Sequence, residues 1–573
     1  MENSQIYSIK IGGQAGQGVK SAGLMLSKFA ARSGFNIFNY TEYPSLIRGG
    51  HNVMQINLSA EEVSAPSKRD DLLVALNQET ADKHLPELTE AAEILFDQDS
   101  GFDTGKVSSQ IRLFAVPLSR LADEAGGNDL LVNSVALGAV VALWDGDLGI
   151  LHDLLAAEYA DKGQQLMDEN KKAAQLGYDF IKENFADKLK QVFRVGEKGA
   201  TKMVLNGNDA VALGAIAAGL QFAAIYPMSP ASGILHTLAL HQEQLGYVYK
   251  QPEDEISAIN MAIGASFAGA RSMTSTSGGG FSLMVEGYGL AGMTETPLVI
   301  VDGMRPGPAT GLATWSGQGD LLFALRAHQG DFPRIVLAAG DVKEAFDLTM
   351  EAFNMADRYQ TPVVLLIDKN ICEDEQSYPL FDVSPYSIER GKLTFSTQDN
   401  YHRYSSSEDG ISLRAVPGSG NFFIANSYAH TEEGFTTEEG NVTQEQMKKI
   451  MAKLETCRRE SMKAPQLFGP PEADLTFVSW GSNKGSIQQA IKKYPNVNFL
   501  HLIWMNPFPA EAVKEALEKA RYVVDVECNF SGQLAALIRE KTGIDILDKM
   551  LKYDGRPFYP EEIEDKIREV MKQ

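Results

Sequence analysis

Two turns and one helix start hold the side chains of this chain best suited to do chemistry, and the two turns suit a small anion. Ser229 lies in Tyr226-Pro227-Met228-Ser229-Pro230 after a short apolar run. Ser followed by Pro predicts a helix start, with Ser229 as N-cap and Pro230 at the first helical position. Its hydroxyl and the free amides beyond it suit a carboxylate, or they form a cap and nothing more. Arg305 follows the apolar run 297–301 in Asp302-Gly303-Met304-Arg305-Pro306-Gly307-Pro308. Pro-Gly-Pro fixes that loop at the carboxyl end of a buried strand, where ligands of open parallel sheets bind. A guanidinium fork there matches a carboxylate better than an ammonium would. Glu255 opens a predicted helix inside residues 251–280. A first-turn carboxylate complements the helix dipole. Behind it Ala258, Ala262, Gly264, Ala265, Ala268 and Gly269 keep that helix thin, so a second backbone or a flat ligand can come close. The run 272–276 then reads as a strand ending in a small-residue turn.

A fourth stretch suits phosphate. Residues 6–11 alternate as a strand and run into Gly12-Gly13-Gln14-Ala15-Gly16-Gln17-Gly18, with a helix predicted from Val19 to Ser33. Strand, glycine loop and helix present amides and a positive helix end to an anion, or make a simple tight turn. The loop misses the P-loop pattern, because Val19 stands where Lys is needed. It also misses the dinucleotide fingerprint, although Glu42 could serve as a ribose acid. Arg48-Gly49-Gly50-His51 could meet the same ligand.

The chain has 573 residues, enough for several cores. Its formal net charge of −23 argues against nucleic acid or an anionic membrane as a partner. Cys372, Cys457 and Cys528 are far apart, which predicts neither disulfides nor a cluster of this chain's own. The first residues lack a secretory pattern and the apolar run 130–144 is too short to span a bilayer, so a cytoplasmic location is expected. Alternating strands and helices predict an α/β domain over 1–190, leaving through a charged helical linker at about 166–191. A second α/β domain covers 191–385. A Ser-, Gly- and Glu-rich connector fills 386–470, with a helix predicted from 443 to 462. A last small parallel sheet occupies 471–573.

Taken together these motifs resemble the 2-oxoacid:ferredoxin oxidoreductases, in the form of an α subunit with a γ domain fused at its N-terminus. The wording is nearest to the 2-oxoglutarate group. The residues that carry the likeness are the 12–18 loop with Arg48-Gly49-Gly50, the 226–230 turn, Glu255 through Thr276-Ser277-Gly278, Arg305-Pro306-Gly307-Pro308 with Thr310-Gly311, and Gln318-Gly319-Asp320. Met228 and Ser229 stand where the family usually has Ile and Thr, and Trp315-Ser316-Gly317 departs from its usual Lys/Thr-Glu wording. The likeness implies an α/β architecture of three parallel-sheet domains: the γ domain, a thiamine-diphosphate pyrimidine-binding domain and a transketolase C-terminal-like domain.

It also implies a site. Glu255 would hydrogen-bond the aminopyrimidine of thiamine diphosphate as the catalytic carboxylate. Pro227, Met228, Thr276, Ser277 and Gly278 would line the cofactor. Ser229, Arg305, Tyr226 and Thr310 would bind the oxoacid, and Gly13, Gly16, Gly18 and Arg48 would touch CoA. No Gly-Asp-Gly occurs, since Gly319-Asp320-Leu321 and Gly330-Asp331-Phe332 lack the second glycine. Mg²⁺, the diphosphate contacts and a [4Fe–4S] cluster are therefore expected on a β subunit, in an (αγ)2β2 assembly that serves ferredoxin. The implied reaction is oxidative decarboxylation of 2-oxoglutarate with CoA to succinyl-CoA, or its reductive reverse. Pyruvate or branched-chain oxoacids are the alternative substrates. A nicotinamide-dependent dehydrogenase or a non-catalytic scaffold is the remote one.

Overall fold

The computed structural model describes residues 6–46, 50–128, 130–189 and 202–572. They divide into two compact units. The first comprises the chain up to Leu205 with Asp374–Phe381 and Tyr559–Ile563. The second holds the remainder from Asn206 onward.

The first unit is built on one eight-stranded sheet. Strands β1 (Tyr7–Gln14), β4 (Asp70–Ala75), β5 (Leu88–Asp97) and β6 (Arg112–Val116) pair in parallel, in the order β1-β4-β5-β6. On the other side of β1 the pairing turns antiparallel, through β3 (His51–Ser59) to β2 (Asn36–Glu42). Gln376–Pro379 and β7 (Lys202–Leu205) extend that edge. Helix α1 (Val19–Arg32) buries Leu26 and Phe29 in a core shared with α2 (Leu131–Leu143). The apolar run 130–144 is thus the central helix of this core, with eleven of its thirteen helical residues buried.

Of the charged stretch at 166–191, the described part, up to residue 189, is not an exit linker. Helix α3 (Gln164–Asn184) packs along α2, and its Ala173, Ala174, Gly177 and Ile181 are buried. Its charges occupy the outer face only, and the small residues recur at helical spacing on the inner one. The helices approach so closely that a Cβ on Gly138 would overlap the Ala174 carbonyl, and one on Gly177 the Val135 carbonyl. The sequence-derived boundary at 190 lies outside the described residues.

The second unit contains two sheets. The larger is parallel across β12 (Ile335–Ala338), β13 (Pro362–Asp368), β11 (Leu298–Met304), β10 (Ser272–Thr276), β8 (Phe222–Ala224) and β9 (Val248–Lys250), in that order. Every residue of β10, β11, β12 and β13 is buried, because helices cover both faces. That is why 297–301 reads as an unbroken apolar run. The smaller sheet has the parallel core β15-β14-β16, from Val497–His501, Leu475–Ser479 and Val523–Glu527 respectively.

The connector is fastened by charge. Its helix, Gly440–Glu460, sends Lys449 and Lys453 to the two oxygens of Glu295, at 2.7 and 2.6 Å. Arg403 donates to the Glu295 carbonyl at 2.8 Å. Burial would push the Glu295 carboxyl up, but Lys453, Lys449 and Arg403 pull it down to about 2. Its stabilising effect is therefore full above the ordinary carboxylate range and lost as pH falls toward 2. Glu295→Gln leaves two buried ammonium groups short of a counter-charge and is expected to cost about 3–5 kcal/mol, read as lost stability in urea at neutral pH. Gly138→Ala is expected to lower the melting temperature despite alanine's advantage of about 1 kcal/mol in helices, because overpacking against backbone costs ~1–3 kcal/mol.

Candidate functional site

The site lies at the carboxyl edge of the larger sheet of the second unit. Helix α5 (Glu255–Phe267) is capped by Asp254, whose carboxylate accepts from the Ser257 amide at 2.7 Å. With the cap supplied by Asp254, the next side chain is free to turn inward. Glu255 is 3% exposed, and its Oε1 is buried without a partner. Beside it β10 ends at Thr276, and helix α6 (Gly278–Met293) begins at once. The predicted small-residue turn is thus the first turn of a helix. A Cβ on Gly280 would overlap the Thr276 hydroxyl and stand 2.7 Å from Glu255 Oε1. A glycine is required at 280 because the carboxylate lies directly against the backbone of α6 there. Ser275 and Ser277 are also fully buried, with hydroxyls that find no partner.

Ser229 is not a helix cap. The following helix, α4 (Ser232–Leu245), starts three residues later with Ala231 at its N-cap position. The Ser229-Pro230 bond is cis, and Pro230 is not at the first helical position. What Ser229 contributes to the fold is its carbonyl, which accepts from Arg305 Nη1 at 2.8 Å. That bond ties the 226–230 turn to the loop after β11. Tyr226, Met228 and Ser229 are half-buried there, and Pro227 and Thr310 are exposed.

Arg305 follows the last residue of β11, as its place after a buried strand predicts. Two carboxylates to which the motifs assign no role stand with it. Asp302 is fully buried in β11, level with Thr276 on β10, and neither of its oxygens has a partner. Burial and the nearby Asp320 hold its proton affinity well above the usual range. Asp320 is half-buried, with Oδ2 2.5 Å from where a Gly278 Cβ would stand. Burial pushes it up to about 6, against the opposing pull of Arg305. The signal for Asp302 is an acid at the end of a run of apolar β-formers.

Gln318, from the same motif, has a structural role. It is fully buried, and its Oε1 accepts from the Cys528 amide at 2.8 Å and from Asn483 at 3.1 Å. Its Nε2 donates to Asp368 at 3.2 Å and to the Trp480 carbonyl at 3.1 Å. One side chain therefore joins the larger sheet to the smaller one. The three thiols are free and buried. Burial, with Glu373, Asp368 and Asp302, keeps Cys372 protonated.

In the first unit β1 runs through Gly12 and Gly13 to Gln14, so the glycine loop is shorter than predicted. Gly16 and Gly18 adopt positive φ, 93° and 72°. The amides of Gln14, Ala15 and Gln17 are already bonded, to Gln17 Oε1, the Gly50 carbonyl and the Gln14 carbonyl. What remains open is a cavity of about 210 Å³ beside Gly18, lined also by Ser21, Lys28, Asn133 and Lys162. Arg48 and Gly49 lie outside the described residues. Among the described residues no helix is long and apolar enough to cross a membrane.

Comparison with known proteins gives the same picture along the whole chain. Residues 213–454 match the family described as pyruvate flavodoxin/ferredoxin oxidoreductase, thiamine diphosphate-binding. Residues 8–180 match pyruvate ferredoxin/flavodoxin oxidoreductase, and residues 473–563 match pyruvate:ferredoxin oxidoreductase core domain II. The α subunit of a 2-oxoacid:ferredoxin oxidoreductase from a Sulfolobus species is 31% identical over 98% of this chain and 96% of its own length. The 2-oxoglutarate synthase subunit KorA of Archaeoglobus fulgidus is 34% identical over 63% of this chain and 96% of its own. A solved 2-oxoglutarate:ferredoxin oxidoreductase from Magnetococcus marinus, with 2-oxoglutarate, coenzyme A and succinyl-CoA bound, superposes with a TM-score of 0.92. It is 30% identical and covers 99% of this chain and 100% of that one.

Replacing Gln318 by Leu strands the buried Cys528 amide and removes the bonds to Asp368 and the Trp480 carbonyl, while Asn483 keeps Ser479 and the Val526 carbonyl. Each unmade bond is expected to cost ~1–3 kcal/mol. Limited proteolysis is expected to cut the smaller sheet region sooner in the variant than in the parent.

Proposed function

The chain belongs to the 2-oxoacid:ferredoxin oxidoreductases, thiamine diphosphate enzymes, as an α subunit, and from that premise we propose that it oxidatively decarboxylates 2-oxoglutarate with CoA to succinyl-CoA, or runs the reverse carboxylation. The observation that carries the site assignment is the buried, unpartnered Oε1 of Glu255. A carboxylate sealed from water without a bond is costly, so a ligand donor is the natural complement. The residues around it suit thiamine diphosphate: Gly279 stands open, where an added Cβ would meet nothing nearer than the Ala309 carbonyl at 3.9 Å, and Ser275 and Ser277 offer unmatched hydroxyls.

Bound thiamine diphosphate supplies the nucleophilic carbon that lets a 2-oxoacid lose CO2. Glu255 would accept a hydrogen bond from the aminopyrimidine edge and hold the proton balance of that ring. Thr276, Ser277 and Gly278 would bound the ring on the α6 side, and Pro227 and Met228 on the side of the 226–230 turn. Arg305 would take the oxoacid carboxylate by its free donors while Nη1 keeps it tied to Ser229. Tyr226, the Ser229 hydroxyl and Thr310 would orient the keto group. A β subunit would bring Mg²⁺, the diphosphate contacts and a [4Fe–4S] centre, and ferredoxin would accept the electrons, in an (αγ)2β2 assembly. Gly13, Gly16, Gly18 and Arg48 would contact CoA. The choice of 2-oxoglutarate is supported by the substrates of the Archaeoglobus and Magnetococcus relatives.

The test is to purify the chain with its partner subunit and follow CoA-dependent viologen reduction. Activity is expected to be highest with 2-oxoglutarate, ahead of pyruvate and 2-oxoisovalerate. A preference for pyruvate would overturn the substrate assignment and leave the chemistry standing. Glu255→Gln is expected to lower kcat by about 10²–10⁴-fold. Gly280→Ala is expected to weaken thiamine diphosphate binding, measured by calorimetry on the cofactor-free complex, because its methyl intrudes on Glu255. Arg305→Lys is expected to raise KM for the oxoacid, since an ammonium lacks the paired donors.

A further inference from the structure

The geometry points to Asp302 and Asp320 as an acid pair that holds one proton beside Arg305 and gains a second when a carboxylate engages that arginine. The first half stands on the fold alone, and the second rests on Arg305 as the oxoacid site.

Asp302 is boxed on both sides along the sheet, by Thr276 on β10 and Leu366 on β13. It has no exposed surface, and both its oxygens are unbonded. Such a side chain cannot be an ion without an adjacent cation. The nearby cation is Arg305, which acts on Asp320 and already gives one nitrogen to the Ser229 carbonyl. Asp320 precedes the short helix Leu321–Arg326 but makes no cap bond to it, and its carboxylate is aimed at Gly278 instead. Its Oδ2 is likewise buried and unbonded. Two neighbouring carboxylates served by one partly engaged guanidinium cannot both be charged, so one proton stays with the pair.

The remaining groups facing the pair do not relieve it. Glu255 lies beyond Thr276, against Gly280, and brings no positive charge. From the segment Lys369–Glu373, Cys372 approaches the same strand at Gly303, 3.3 Å from where a Cβ would stand. Its thiol is pushed up by burial and in part by Asp302 itself, and Lys369 opposes that rise. Burial and Asp320 raise Asp302, and burial raises Asp320 to about 6, in keeping with a pair poised to change by one proton near neutrality.

A ligand carboxylate at Arg305 would draw off the positive charge that keeps Asp320 ionised and would add a negative one. Asp320 would then take a proton from solvent. No bond between heavy atoms forms or breaks. The pair would thus keep the local charge nearly constant as an anionic oxoacid arrives, and would release the proton when the carboxylate leaves as neutral CO2.

The holoenzyme with its partner subunit serves for both tests. Infrared spectroscopy near neutral pH is expected to show, in the parent-minus-Asp302→Asn difference spectrum, a protonated-carboxyl C=O component that shifts in D2O and adds to those of other buried acids such as Asp525. A difference spectrum without that component overturns the pair. Glutarate, which lacks the reactive keto group, would then be titrated calorimetrically in buffers of different ionisation enthalpy. The parent enzyme is expected to take up a substantial fraction of one proton per site on binding, and Asp320→Asn almost none. Binding heat that is independent of the buffer in the parent overturns the second half, and this arm needs no variant to fold. Absence of any glutarate binding would count against Arg305 as the carboxylate site, while the infrared band would still decide the acid pair.

Discussion

A carboxylate shut away from water with an oxygen unmatched is among the more expensive arrangements a fold can hold, and Glu255 is one. Desolvation of an unpaired polar group costs several kcal/mol, so the neighbouring elements have to impose the geometry. Asp254 relieves Glu255 of the capping role by bonding the Ser257 amide. The thin α5 brings the carboxylate down onto the sheet edge, and Gly280 leaves α6 bare where its backbone meets it. Each of these features would be a weakness elsewhere in the chain. Here they have a common cause.

The same constraint explains why the surrounding scaffold is so heavily tied. The Arg305 loop is bonded to the 226–230 turn through Ser229. Gln318 fixes the loop's far end to the smaller sheet through three bonds and to the end of β13 through a fourth. The connector helix is clamped to the end of α6 by Glu295 and two buried lysines. A site built around buried polar oxygens with no protein partner needs walls that do not relax around it.

Much of this was legible in the residues. Glu255 at a helix start and Arg305 at a strand end follow from periodicity and from Pro-Gly-Pro. The buried strands of the larger sheet announce themselves as apolar runs, since helices cover both faces. The failures have local reasons. Ser-Pro is a good helix opening, yet the chain after Ser229 turns first, and the serine carbonyl rather than its hydroxyl is engaged. The charge of residues 166–191 masked the alanines and glycine that bury α3. In the sequence Asp302 and Asp320 are only letters of two motifs, because spacing alone cannot say that two acids 18 positions apart in the chain are buried near each other. The glycine loop of the first unit read longer than it is, since β3 extends the pairing of β1 across Gly12 and Gly13.

The three cysteines have a consequence for handling the protein. All are buried, and burial raises Cys372 and Cys528 and puts Cys457 at about 12. Thiolates are the reactive form, and this chain offers almost none near neutrality. Alkylating reagents and mild oxidants should therefore leave the folded subunit untouched, so that inactivation of the assembled enzyme in air would have to begin on a different polypeptide.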